Sequence, residues 1–268
     1  MQATHANVAH PDRLALFPSE PQRLEAVRVI ARVGGPRVPL FCLADDHAHF
    51  LVLAPPVRAR LLVRSLVQAL NYRLGFKLAP PFFKPVQSRT HFEGLFRYIL
   101  DQTSHHDIQL AAHPALWPGS SFHDLVGARR LSGFDRRLLA EALPRWSDEP
   151  IFAAVGLRPC RPVGDGALQA VGLEGLVEAA ARAVGRPDLL GRRTPVIRAR
   201  RTLARTAREL GFADRQIARA LGCPRRTASH LAATARSDPD MSRALRLQVA
   251  LHRAVQARAL PVRSNPGR

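Results

Sequence analysis

Four residues in this chain have side chains and spacings that could bind a metal ion beside a nucleophile. His47 and His49 stand in His-x-His within LFCLADDHAHFLVLA, residues 40–54, where apolar runs on both sides read as buried strand. Residues i and i+2 of a strand share a face, so the two imidazoles lie side by side, about 6–7 Å apart along the strand, and can converge on one metal ion. The plainer reading is a pair of half-buried histidines bonded to backbone. Tyr98 and Gln102, in FRYILDQ, are four residues apart and share one face if that segment is helical. A phenol and a carboxamide side by side offer a nucleophile and a third ligand, although Tyr98 also fits an amphipathic core beside Leu95 and Phe96.

These residues need elements to hold them. Residues 3–8 form a weak strand candidate. Ser19-Glu20-Pro21-Gln22 reads as a capped helix start, followed by Leu24, Val27, Ile30 and Ala31 at helical spacing and stopped by Gly34-Gly35. Residues 37–44 and 47–53 read as two strands with Asp45-Asp46 at the turn, where either carboxylate could join the site or simply face solvent. A helix follows over 57–74, with Leu62, Leu66, Ala69 and Leu70 inward and Gly75 at its end. One irregular strand fits the proline-broken FKLAPPFFKPVQSR. The spacing then predicts a helix over 91–104, with Thr90 as cap and Glu93 three residues on. This β-α-β-β-α-(β)-α order predicts a small antiparallel sheet with helices on one face, an α+β fold.

CLADDHAHFLVL, then FRYILDQ about fifty residues later, then LWPGSSF, resembles the single-tyrosine HUH transposases, and most of all the REP-associated tyrosine transposases. The resemblance covers about residues 1–125. It implies a ferredoxin- or RRM-like HUH domain, His47, His49 and Gln102 as metal ligands, Tyr98 as nucleophile, and Mg²⁺ or Mn²⁺ as cofactor. It also implies a single-stranded or hairpin DNA substrate cleaved and rejoined through a 5′-phosphotyrosine, and it leaves a homodimer or a monomer open. Two departures stand out: Asp45-Asp46 replaces the usual Pro-Asn or Pro-Glu, and Gln102-Thr103-Ser104 replaces Asn-Pro-Val.

Charge points the same way. Lys and Arg number 40 against 21 Asp and Glu, a net of +19, which suits a polyanionic partner. Arg58, Arg60, Arg64, Arg73, Lys77 and Lys84 offer phosphate contacts, and Tyr72, Phe76, Phe82 and Phe83 offer stacking surfaces or core. Further on, ELGFADRQIARALGCPRRTASHLAA reads as a helix-turn-helix. Asp214 could cap its first helix, Gly222-Cys223-Pro224 forms the turn, and Arg225, Arg226, Thr227, Ser229 and His230 are placed for a DNA groove. From residue 191 to 233, eleven arginines face only Glu209 and Asp214, a net of +9.

The expected organisation is an HUH domain over 1–130, a connecting segment over 131–166, a helical DNA-binding domain over 167–257 and a disordered tail over 258–268. The chain shows no run of 18 apolar residues and no basic-then-apolar leader, and Cys42, Cys160 and Cys223 match no zinc or disulfide spacing. A cytoplasmic DNA-processing enzyme is the first expectation. A domesticated, non-cleaving DNA-binding protein is the alternative, and an RNA-binding protein the third.

Overall fold

The computed structural model describes residues 2–75, 77–102, 113–142, 147–233 and 238–259. Phe76, Thr103, Ser104, Pro144 and residues 260–268 of the expected tail lie outside these. The fold is α+β. β1 (Thr4–Ala9), α1 (Glu20–Gly34), β2 (Leu40–Leu43), β3 (His47–Val52), α2 (Pro56–Leu74) and β4 (Phe82–Pro85) build a four-stranded antiparallel sheet in the order β2-β3-β1-β4. That is the ferredoxin-like arrangement of two split β-α-β units.

Local chemistry explains most boundaries. Ser19 caps α1 and Gln22 closes the capping box. Gly75 ends α2 in the left-handed region at φ 75°, which a side chain would resist. β2 starts later than expected because Gly35–Arg37 make a 3-10 turn. α3 (Arg89–Leu100) is capped by Ser88, whose hydroxyl accepts from the His91 N–H at 3.1 Å; the expected cap, Thr90, already lies inside the helix.

Helices cover both faces of the sheet, not one. α1 and α2 pack on Ala6, Val8, Phe41, Ala48, Phe50 and Val52, while α3 packs on Leu40, Cys42 and Leu51. The reason is visible in β2 and β3, every residue of which is buried; strands without a polar face need cover on both sides.

Two short helices, α4 (Phe122–Leu125) and α5 (Arg137–Ala142), are followed by α6 (Asp148–Ala154). Residues 131–166, expected as a connection, place Leu139, Ile151, Phe152 and Leu157 in the core beneath α3. The remainder is helical: α7 (Asp165–Ala183), α8 (Thr194–Glu209), α9 (Asp214–Ala220), α10 (Arg225–Ala233) and α11 (Pro239–Ala259). Arg258 and Ala259, expected in the tail, close α11. A tight turn joins α9 to α10, and Leu203, Ile217, Ala218, Ala228 and Ala232 share one core. Asp214 does not cap α9: its carboxylate accepts from Arg208 at 2.7 Å, and Gln216 instead accepts from the Ala213 N–H at 2.9 Å. Among the described residues no helix is long and apolar enough to cross a membrane.

Candidate active site

α3 buries Phe92, Leu95, Phe96, Ile99 and Leu100, spaced as one helical face. Each contributes roughly 1.5–3 kcal/mol of burial, enough to fix the helix against the sheet. Tyr98 falls beside that stripe and stays 40% exposed. It is therefore not a core aromatic.

The sheet register sets what Tyr98 meets. His49 lies opposite Asn7 on β1 and opposite Cys42 on β2, so the odd-numbered positions of β1 and β3 share the face under α3. His47 and His49 contact edge to face with ring centroids 4.6 Å apart, and Tyr98 meets His49 the same way at 5.3 Å. Gln102, fully buried, follows one turn after Tyr98 and donates its amide N–H to the Tyr98 carbonyl at 2.8 Å. The structure thus gathers His47, His49 and Tyr98, with Gln102 on the next turn of the same chain segment.

Two partners of the histidines were not assigned from the sequence. Asp46 Oδ1 lies 2.5 Å from His47 Nδ1, and Asp46 also accepts from Arg13 at 3.2 Å. Partial burial pushes the Asp46 carboxyl up, but the bonds and charge of His47 and Arg13 outweigh it and hold it below its ordinary range. His5, on β1, stacks on His49 at 5.1 Å, and its Nε2 lies 3.0 Å from His49 Nδ1. Burial pushes the His5 imidazole down to about 4, with His91 and Lys84 adding to the effect. The alternation in THANVA is the one sequence signal that could have placed His5 on this face. Asp45, by contrast, is exposed in the turn.

Nδ1 of each ring is thus engaged by a neighbour, His47 by Asp46 and His49 by His5. Among the described residues, His, Cys, Asp and Glu form no group of three suited to a metal ion. The donor set that could hold one is therefore two imidazoles and the Gln102 carboxamide, whose amide nitrogen turns to the Tyr98 carbonyl. A carboxylate behind His47 is the usual outer partner of a metal-binding imidazole, so these residues fit a divalent ion.

The expected DNA contacts divide. Arg58, Arg64, Arg73 and Lys77 are exposed, but α2 covers the sheet face opposite Tyr98, so the structure does not bring its arginines to the tyrosine. Arg73 reaches Glu25 at 3.8 Å and lies over the ring of Tyr72, which is 84% exposed. Phe82 is exposed and stands opposite Asn7, on the histidine face; Phe83 is half-buried under Arg60. Arg225, Arg226 and Thr227 are exposed at the start of α10, whereas Ser229 is half-buried and receives Arg208 at 3.3 Å.

No family model matches the sequence, and no curated protein matches it. Among solved structures, one of a REP-associated tyrosine transposase bound to a REP hairpin is similar at 14% identity and a TM-score of 0.36, covering 46% of this chain and 77% of that one.

Proposed function

We propose that this chain is a tyrosine-dependent, metal-dependent single-strand DNA endonuclease and strand transferase. The observation that carries the reading is the meeting of an exposed phenol, Tyr98, with the His47–His49 pair on one sheet face. A phenol with an ordinary pKa near 10 is a poor nucleophile in neutral water and needs a site that favours its attack. His47, His49 and Gln102 would hold a divalent cation, Mn²⁺ suiting imidazole better than Mg²⁺, and the cation would supply positive charge at the scissile phosphate.

The Tyr98 oxygen forms a bond to phosphorus as the bond to the 3′ oxygen breaks. The phenolic proton passes to solvent water, and the departing 3′ oxygen takes one up from solvent. The products are a 5′-phosphotyrosine and a free 3′-hydroxyl; attack by another 3′-hydroxyl reverses the step and joins strands. We assign hairpins with unpaired flanks as substrates. Exposed Arg225, Arg226 and Thr227 suit a paired stem, while Tyr98 requires an unpaired strand, and a hairpin offers both.

The test uses hairpins labelled at the 5′ or the 3′ end, with Mn²⁺, and the native chain beside Tyr98→Phe. The expected result is a covalent adduct carrying only the DNA 3′ of the cut, wholly absent from the variant. Tight binding with no adduct in Mn²⁺ or Mg²⁺ would replace this reading with the non-cleaving DNA-binding one.

A further inference from the structure

A cleft of about 220 Å³ lies where α1 and the end of α2 approach the residues leading into α8. Arg28, Arg32, Arg73, Arg130, Arg186 and Arg193 line it, against one carboxylate, Glu25. That carboxylate is already shared between Arg28 and Arg73, and Arg130 pairs with Asp240 at 2.7 Å. Arg32, Arg186 and Arg193 have no ion pair among the described residues. Burial pushes the Arg28 guanidinium down, and Arg186 and Arg193 push it further, with Glu25 only partly opposing them. Like charges gathered this way repel one another, and a bound anion relieves the repulsion.

Two further observations define the ligand. The N-terminus of α8 opens into the same cleft: Pro195 and Val196 line it, no side chain caps the helix, and its dipole adds to the arginines. No aromatic ring is among the described lining residues; the exposed Tyr72 ring lies against Arg73 from outside the lining. Guanidinium groups without stacking surfaces suit the regular phosphates of a duplex.

We propose that this cleft grips the phosphodiester backbone of the paired stem of a DNA hairpin, on the sheet face opposite Tyr98. The inference rests on the reading that the chain acts on DNA, and it adds a second point of hold between the sheet and the helical half. The stem is gripped without regard to sequence, while the unpaired flank reaches the histidine face.

The test is equilibrium binding of a hairpin with an unpaired flank, and of the flank alone, across a salt series. The native chain is compared with Arg32→Gln/Arg186→Gln/Arg193→Gln and with Arg193→Glu, each checked for native circular dichroism and melting. The triple variant should bind the hairpin about tenfold or more weakly at 0.1 M salt, with a log–log salt slope smaller by about 2, and the flank alone within about twofold of native. Arg193→Glu should move in the same direction. A native chain that binds the hairpin while both variants keep its affinity and slope overturns the cleft alone, as does an equal loss on the flank. A native chain that binds no hairpin overturns the cleft and the proposed function together, whereas binding without a Tyr98 adduct overturns only the cleavage reading.

Discussion

At the scale of single residues, the site is a histidine pair held from behind. Asp46 engages His47 Nδ1 and His5 engages His49 Nδ1, so each ring is fixed in orientation before it meets any ligand. An outer carboxylate of this kind fixes the orientation in which its imidazole meets a metal ion. Asp46→Ala should therefore weaken Mn²⁺ binding about 10- to 100-fold, measured by calorimetric titration, while Asp45→Ala, in the exposed half of the turn, binds as the native chain does. Native affinity in Asp46→Ala would show that the turn only faces solvent. The pair itself was legible, because His-x-His and a Tyr-x-x-x-Gln helix are local patterns. His5 was not: it sits 44 positions from His49, and only the β1–β3 register brings them together.

At the scale of elements, the LWPGSSF segment explains how the outer edge of the sheet is closed. Gly119 O accepts from the Leu43 N–H at 3.1 Å, Phe41 O accepts from the Ser121 N–H at 3.0 Å, and the Trp117 indole donates to Leu43 O at 2.7 Å. A side chain at position 119 would meet Trp117 Nε1 at 2.8 Å, so the glycine is required by close approach. Covering an edge strand in this way removes a site for unwanted pairing. Arg129 clamps the segment from inside. Its guanidinium donates to the carbonyls of Pro118 and Ser120 at 2.6 and 2.7 Å, and it forms a two-pronged pair with buried Asp124. Arg129→Met would leave that carboxylate without its partner, and should lower the unfolding free energy by about 3–5 kcal/mol in denaturant titrations. Asp124→Asn in the same chain should restore part of the loss. A loss below about 1 kcal/mol in the single variant would mean the clamp is dispensable. The sequence offered Trp-Pro-Gly-Ser-Ser only as a landmark. Its structural work depends on backbone pairing with β2, which no local pattern encodes.

At the scale of the whole molecule, α11 joins the two halves. Leu247 and Leu251 enter the core beneath α3, while Met241, Ala244, Leu245 and Val249 enter the core of α7 to α10. Gln248 donates to the Ala128 carbonyl at 2.9 Å from the same helix. The boundary drawn from proline and glycine content could not anticipate this, because composition marks where a chain bends and not what it packs against afterwards. The junction also contains two titratable rings. His252, on α11, is pushed down to about 4 by burial and then by Arg182; His123, on α4, is pushed well down by burial, then by Arg129, His252 and Arg182. Both rings line a second cleft, separate from the arginine cleft, together with Glu20 and Arg23 of α1. Between the ordinary histidine value near 6.5 and about 4, the unfolded chain binds protons that the folded one does not. The contribution of His252 is thus fully present above about pH 6.5 and is lost as pH falls toward about 4. The melting temperature should fall between pH 7.5 and pH 5, and His252→Phe, which removes the ring's charge, should show a smaller fall over the same interval. Carboxylates elsewhere titrate alike in both proteins, so the difference between the two falls reports the junction. Equal falls in the native chain and the variant would mean that His252 takes no part in the pH dependence of the junction.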